Sequence, residues 1–177
     1  IAQVTALAAG SSAITEVEFV SGDYQPSDIM LRAKGELGYN IDQGLLIVSE
    51  GSVEHAGLKI EADTIEFDER RGQIRAQGNA ALSRESISVV ADALWYSPED
   101  TSGALLIVGR TPSIVPFRAD LLSMEQPRPA QDTRQFEPFR ATSGRSWITA
   151  ESAVIWPRER IQFTRAQVLV DNRPVLS

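Results

Sequence analysis

The chain's only histidine is His55, and among its 177 residues there is no cysteine. A metal centre ordinarily needs several nitrogen or sulfur ligands, and a histidine-based triad needs a serine and an acid brought to it in space. His55 lies in the polar stretch SVEHAG, residues 52–57, and reads as a surface residue. Without cysteine there are no disulfides, thiolate metal sites or cysteine nucleophiles. Three acids, Asp63, Asp92 and Glu151, recur at equivalent places in a repeated pattern. A row of carboxylates could bind Ca²⁺ or act as an acid/base pair. A short acid at a bulge or turn more commonly bonds nearby backbone amides, and that is the stronger reading here. Trp95, Trp147 and Trp156 could stack on sugars, although half-buried packing is the commoner role for tryptophan. Arg70, Arg71 and Arg75 form a basic cluster that could meet phosphate, or simply a solvated hairpin turn. The run GNAALS, residues 78–83, lacks the lysine of a phosphate-binding loop. No catalytic residue, metal site or cofactor is therefore expected.

Composition narrows the class. Hydrophobic residues make up 42% and charged residues 23%, so the chain can bury a core and is not disordered throughout. The net charge of −7 argues against nucleic acid as a partner, because phosphate backbones need a basic face. No apolar run reaches the roughly 18 residues of a membrane helix. Ile1 is not an ordinary start residue, so the chain reads as processed or as part of a longer one. The small, apolar opening within residues 1–15 reads as the remains of an export signal or, at least as well, as a first strand or a frayed, disordered tail.

The elements that must position these groups are strands. Ile29, Leu31, Ala33, Gly35, Leu37 and Tyr39 alternate with polar residues, and so do Ile74, Ala76, Gly78, Ala80 and Leu82. Period 2 means a strand with one buried and one wet face. No stretch holds a helical stripe for three turns, so the fold class is all-β and antiparallel.

The alternation then slips, repeatedly, in the same way. Ile60 and Ala62 are followed by Ile65 and Phe67; Val89 and Ala91 by Leu94 and Tyr96; Ile148 and Ala150 by Ala153 and Ile155. An odd step turns later side chains to the other face unless the strand bends or bulges. The slips fall at residues 63–64, 92–93 and 151–152, which predicts long strands kinked at one level. Ile161 and Phe163, then Ala166, Val168 and Val170, slip similarly. Turn-forming runs separate the strands at residues 68–72, 97–103 and 156–160. Such a stack of bent strands folds over as a V-shaped open β-jelly roll. The proline-rich residues 109–145 are expected to form an edge or a long loop within this single domain of residues 1–177.

The run IEADTIEFDERRGQIRAQGNAAL resembles the OstA-like periplasmic domains of the lipopolysaccharide-transport (Lpt) family. Ala62, Asp63, Ile65, Phe67, Asp68, Gly72, Ile74, Ala76, Gly78, Asn79 and Ala80 carry the likeness, and Ala91, Asp92, Leu94 and Tyr96 open the next copy. The tail, with Trp147, Ile148, Ala150, Val168, Pro174 and Val175, is most similar to the N-terminal domain of that family's outer-membrane translocon. Relatives often carry cysteine near residues 142–143; this chain has none, so disulfide-gated assembly is not implied.

The resemblance implies a non-enzymatic trough for acyl chains. It would be lined by Ile60, Ala62, Ile65, Phe67, Ile74, Ala76, Ile87, Val89, Leu94, Tyr96, Ile148 and Ile155. Each buried methylene stabilises by about 0.8 kcal/mol, so several chains would bind firmly. Glu61, Glu66, Arg75, Gln77 and Arg84 would face water. The implied partners are lipopolysaccharide or a similar multi-acyl lipid, other OstA-like domains by edge-strand addition, and an outer-membrane barrel in the same parent chain. The implied location is the periplasm, attached to the outer membrane. From periodicity alone a closed dry core is the better reading, and only the resemblance favours the trough. A carbohydrate-active domain using Asp63, Asp92 or Glu151, or a structural β-repeat that self-associates, are the alternatives.

Overall fold

The computed structural model describes residues 28–175 except 121, 140–143 and 158, together with the backbone of three short strands, β1 (Gln3–Thr5), β2 (Leu7–Ala8) and β3 (Ile14–Glu16). The remaining opening residues, which include most of the expected tail, lie outside the described residues. Period-2 patterning produces five long consecutive strands: β4 (Ile29–Asn40), β5 (Leu45–His55), β6 (Leu58–Asp68), β7 (Gln73–Arg84) and β8 (Ile87–Ser97). Tight turns join them, so each pairs antiparallel with the next. β9 (Ser102–Ile107) and β10 (Ser113–Arg118) extend the sheet on one side, with β11 (Ser123–Met124) and β12 (Arg128–Pro129) against β10. On the other side β4 pairs with β13 (Ser146–Trp156). β13 carries two shorter strands, β14 (Arg160–Thr164) and β15 (Ala166–Val170), and β16 (Arg173–Pro174) closes onto β15. The result is one open, almost wholly antiparallel sheet; among the described residues the exception is β1, parallel to β14. Among the described residues the only helical element is a 3₁₀ turn at Arg134–Phe136.

The slips in the alternation are register shifts. They fall between Glu61 and Thr64 on β6, between Gln77 and Ala80 on β7 opposite Ala91 and Ala93, and between Ala150 and Ser152 on β13. β4 shifts at the same level, between Ala33 and Leu37. In β7 the surplus is taken up by Gly78 and Asn79, both left-handed at φ 77° and 48°. Asparagine and glycine tolerate that region best. The slip noted between Phe163 and Ala166 is a strand break at Arg165, where β14 gives way to β15.

The kinks fold every long strand into two arms. The first arm carries Ile29, Leu31, Val53, Ile60, Leu82 and Ile155; the second carries Tyr39, Val48, Ile65, Phe67, Leu94 and Tyr96. Their side chains form one apolar core between the arms. Residues distant along the ladder therefore touch: Tyr39 of the second arm packs on Phe163, which pairs with first-arm Ala153, at 5.5 Å between ring centroids.

A second, smaller layer covers the outside of the second arm. The proline-rich segment leaves β12 and returns across the sheet, seating Phe136 among Ala93, Ala104 and Leu106, with Trp95, Ile114 and Ala130 at its margin. Gln77 donates to the Phe136 carbonyl (2.6 Å) and Arg75 to that of Glu137 (2.9 Å). This strap is made of edge strands and loop, and what it corrects is the expectation that the sheet face behind it is wet.

Candidate functional site

The arm tips do not meet completely. Between them lies a cavity of about 550 Å³. Its floor is apolar, from Ile29, Phe67, Ile155 and Ile161. Its rim is polar, from the turns that join β5 to β6, β6 to β7, β8 to β9 and β13 to β14. The strands fold back on themselves, so turns from opposite ends of one strand share this mouth.

His55 lines it, and Tyr96 lies behind His55 in the core. His55 Nδ1 and the Tyr96 hydroxyl are hydrogen-bonded at 2.8 Å, and both residues are buried. Tyr96 also stacks on Phe117, with centroids 6.2 Å apart. Burial pushes the Tyr96 phenol well above its ordinary pKa, so it stays a neutral O–H. The surface reading of His55 is thus corrected. The residue is in phase with Val53 on β5, and that phase sends it inward.

Arginines dominate the rim. Arg70 donates to the Asp42 carbonyl (2.9 Å), and Arg71 pairs with Asp68 (3.1 Å). The Arg160 guanidinium lies over the Trp156 ring, 4.1 Å from its centroid, and its Nε is buried with no hydrogen-bond partner. Glu69 accepts the Tyr39 hydroxyl at 2.6 Å. Burial and that carboxylate together push the Tyr39 phenol up.

Of the twelve expected lining residues, Phe67 and Ile155 reach this cavity. Ile60, Ala62, Ile65, Ile74, Ala76, Leu94, Tyr96 and Ile148 are buried on one another in the shared core, and Val89 packs against its margin. Ile87 departs from the set. It is 48% exposed, at the outermost pair of the β7–β8 hairpin, where β8 has lost its next neighbour. The period was right there, but the sheet ends before the core can cover it.

The outward residues also need correction. Glu66 is buried, because Phe139 of the strap settles over it and its backbone N–H donates to the carboxylate. The other oxygen, Oε1, has no hydrogen-bond partner. Burial pushes the Glu66 carboxyl up to about 7. Arg75 lies against the Phe139 ring at 4.0 Å and is partly buried with it. Glu61 stays exposed and pairs with Lys59 at 2.9 Å, while Arg84 donates to the Ala56 carbonyl at 2.6 Å.

The three kink acids do not converge. Asp63 accepts from Asn79 (3.1 Å), Asp92 from the Val108 N–H (2.6 Å), and Glu151 pairs with Arg165 (3.2 Å). Only Asp92 takes a backbone amide, that of Val108 sixteen residues away; Asp63 and Glu151 bond side chains, so the expected bonds to neighbouring amides at the kink are not what holds them. Among the described residues no three histidine, aspartate or glutamate side chains come together as a metal site would require. The tryptophans are packed: Trp147 donates to the Gly144 carbonyl (3.1 Å), Trp95 lies at the margin of the outer layer, and Trp156 supports Arg160.

β8 also presents an edge. β9 pairs only with Ala93–Ser97, leaving residues 87–91 with no neighbour on that side among the described residues. Val90, 66% exposed, stands on this edge, and Val108 is exposed beside Asp92 at its end.

The chain matches no protein-family model and no curated protein. Among solved structures it is similar to the crystal structure of LptH from Pseudomonas aeruginosa, described as the LptA-homologous periplasmic component of the lipopolysaccharide transport device. The match has 10% sequence identity and a TM-score of 0.39, covering 80% of this chain and 94% of that one.

Proposed function

We propose that the chain is a non-enzymatic lipid-binding domain of a lipopolysaccharide-transport system, most like the N-terminal domain of the outer-membrane translocon LptD. In this reading it sits in the periplasm, attached to the outer membrane. It takes acyl chains from a periplasmic bridge of OstA-like domains and passes them to a barrel in its own parent chain. The observation that carries the reading is the continuous apolar face between two arms, opening at their tips into an amphipathic cavity. Parting the arms exposes aliphatic surface that acyl chains then cover. The cost of opening is offset at about 0.8 kcal/mol per methylene. The free edge of β8 supports strand addition by a neighbouring domain, since unpaired N–H and C=O groups template another strand. The ADxIxF…GxIxAxGNA pattern supports the choice of family.

Site-specific photocrosslinking to lipopolysaccharide tests this. Probes at Phe67, Ile74 and Ile155 report the inner face, and probes at Lys59 and Glu61 report the solvated outer face. Adducts at the inner positions alone are expected. A folded protein with no adduct at any inner position would replace this reading with a closed-core domain that acts by self-association.

A further inference from the structure

We infer that the strap of residues 130–139 is a pH-operated cover on the outer face of the second arm, closed while Glu66 is protonated and released when it ionises, with Arg75 changing partners between the two states. The inference stands apart from lipid binding, which uses the inner face.

Glu66 and Arg75 face each other directly across the β6–β7 ladder, where an acid and an arginine ordinarily pair. Here Arg75 is engaged otherwise. Its Nε donates to the Gln73 side chain (3.1 Å) and a terminal N–H to the Glu137 carbonyl (2.9 Å), and its guanidinium lies over the Phe139 ring, 4.0 Å from the centroid. The last two contacts are with the strap. Glu66 in turn is sealed beneath Phe139, accepting that residue's N–H while Oε1 has no partner among the described residues. A buried acid with one idle oxygen is tolerated as a neutral carboxyl and is costly as a carboxylate. Lifting Phe139 hydrates the carboxylate and frees Arg75 to bond it. The other charges nearby are Arg71, over the same ring at 5.5 Å, Asp68, tied to Arg71, and Glu137 of the strap; β5 sets the uncharged Ile47 beside Glu66. Trp95 Nε1, at the margin of the outer layer, is a second buried polar atom without a partner, and the same movement returns it to water. The strap is held by Phe136, Phe139 and the bonds from Gln77 and Arg75, so its opening is a local event that leaves the ladder intact.

The two states fix the direction. In the closed state burial pushes the Glu66 carboxyl up to about 7; opened to water, it returns towards 4.5. Below 4.5 the group is neutral in both states and the strap is tightest. Between 4.5 and 7 the open form ionises first, so each unit of pH favours opening by up to about tenfold. Above 7 both states are charged and opening gains nothing more.

Hydrogen exchange of the intact chain, read by mass spectrometry between pH 5 and 9 with labelling times scaled to the intrinsic rate, tests this. In wild type the protection of residues 130–139 is expected to fall at least about tenfold between pH 5 and pH 8, while β5, β6 and β7 keep theirs. Glu66→Gln should match wild type at pH 5, which also reports an intact fold, and should stay protected at pH 8. Arg75→Gln should loosen the strap already at pH 5 and move the fall to higher pH, because the charged Glu66 has lost its alternative partner. A flat wild-type profile overturns the inference. So does a fall shared equally by β5, β6 and β7, which would be a loss of global stability. A fall that persists in Glu66→Gln overturns Glu66 as the trigger, and one left unshifted by Arg75→Gln overturns the exchange of partners.

Discussion

His55 Nδ1 lies 2.8 Å from the hydroxyl of Tyr96, although the two stand 41 residues apart and on opposite arms of the bent sheet. Both are buried, so the bond joins the two arms at the inner wall of the cavity. Tyr96→Phe leaves the imidazole nitrogen without this partner. A loss of about 1–3 kcal/mol is expected by chemical denaturation. His55→Ala and the double variant complete a mutant cycle. A coupling energy near zero would mean that the arms are held by apolar packing alone.

Glu66 makes the fold sensitive to pH. Its carboxyl, ordinarily at 4.5, is pushed up to about 7 by burial beneath Phe139. Below 4.5 it is neutral in folded and unfolded chains alike and costs nothing. As the pH rises from 4.5 towards 7 the unfolded chain ionises first, so stability falls; above 7 the loss is complete. The full penalty is on the order of 3 kcal/mol. Glu66→Gln should match wild type at pH 4 and exceed it at pH 8. Parallel stability curves for the two proteins across this window would show that the carboxylate finds adequate solvation when charged.

Two glycines separate the cost of backbone from the cost of crowding. Gly72 and Gly78 both have positive φ, 63° and 77°. A Cβ on Gly72 would meet nothing, whereas one on Gly78 would collide with the Asp63 carboxylate. Gly72→Ala should cost about 1–2 kcal/mol, the usual charge for an L-residue in this region. Gly78→Ala should cost clearly more, because the bulge must shift as well. Thermal unfolding of both variants decides it. Equal losses would mean that the kink yields freely.

The β8 edge can be tested without touching the core. Val90→Lys should leave the melting temperature within experimental error, since the residue is already largely exposed. It should weaken association with a partner strand, because an edge lysine blocks pairing. Sedimentation velocity at rising concentration is the measurement. Self-association unchanged by the substitution would place the contact elsewhere.

The kinks were legible in the sequence because each is written locally. An odd step between Ala62 and Ile65, or between Ala91 and Leu94, has few structural solutions, and the chain takes the expected one. Most of the core was legible for the same reason. Ile87 shows the limit: alternation gives the face of a residue but not where the sheet stops. The burial of Glu66 and the half-burial of Arg75 were not legible. Their cover comes from Phe136 and Phe139, in a proline-rich segment with no periodicity to say what it lies against. The pair of phenylalanines in FEPF was the available signal, since aromatics in an otherwise polar loop seek a surface. His55 was legible in principle from its phase with Val53, but its polar neighbours in sequence pointed outward.

The division of β13's outer neighbour into β14 and β15 has a mechanical consequence. From β4 to β8, and along β13, each chain runs through the kink, so the covalent backbone stiffens the crease. Beyond β13 that reinforcement passes to two separate strands joined by a single left-handed residue, Arg165 at φ 51°. Beyond β8, β9 follows one arm only. Compliance is therefore concentrated at these two flanks, and the middle acts as a rigid spine. A force that spreads the arms meets least resistance at the β14–β15 junction, where the exposed Glu151–Arg165 ion pair adds little.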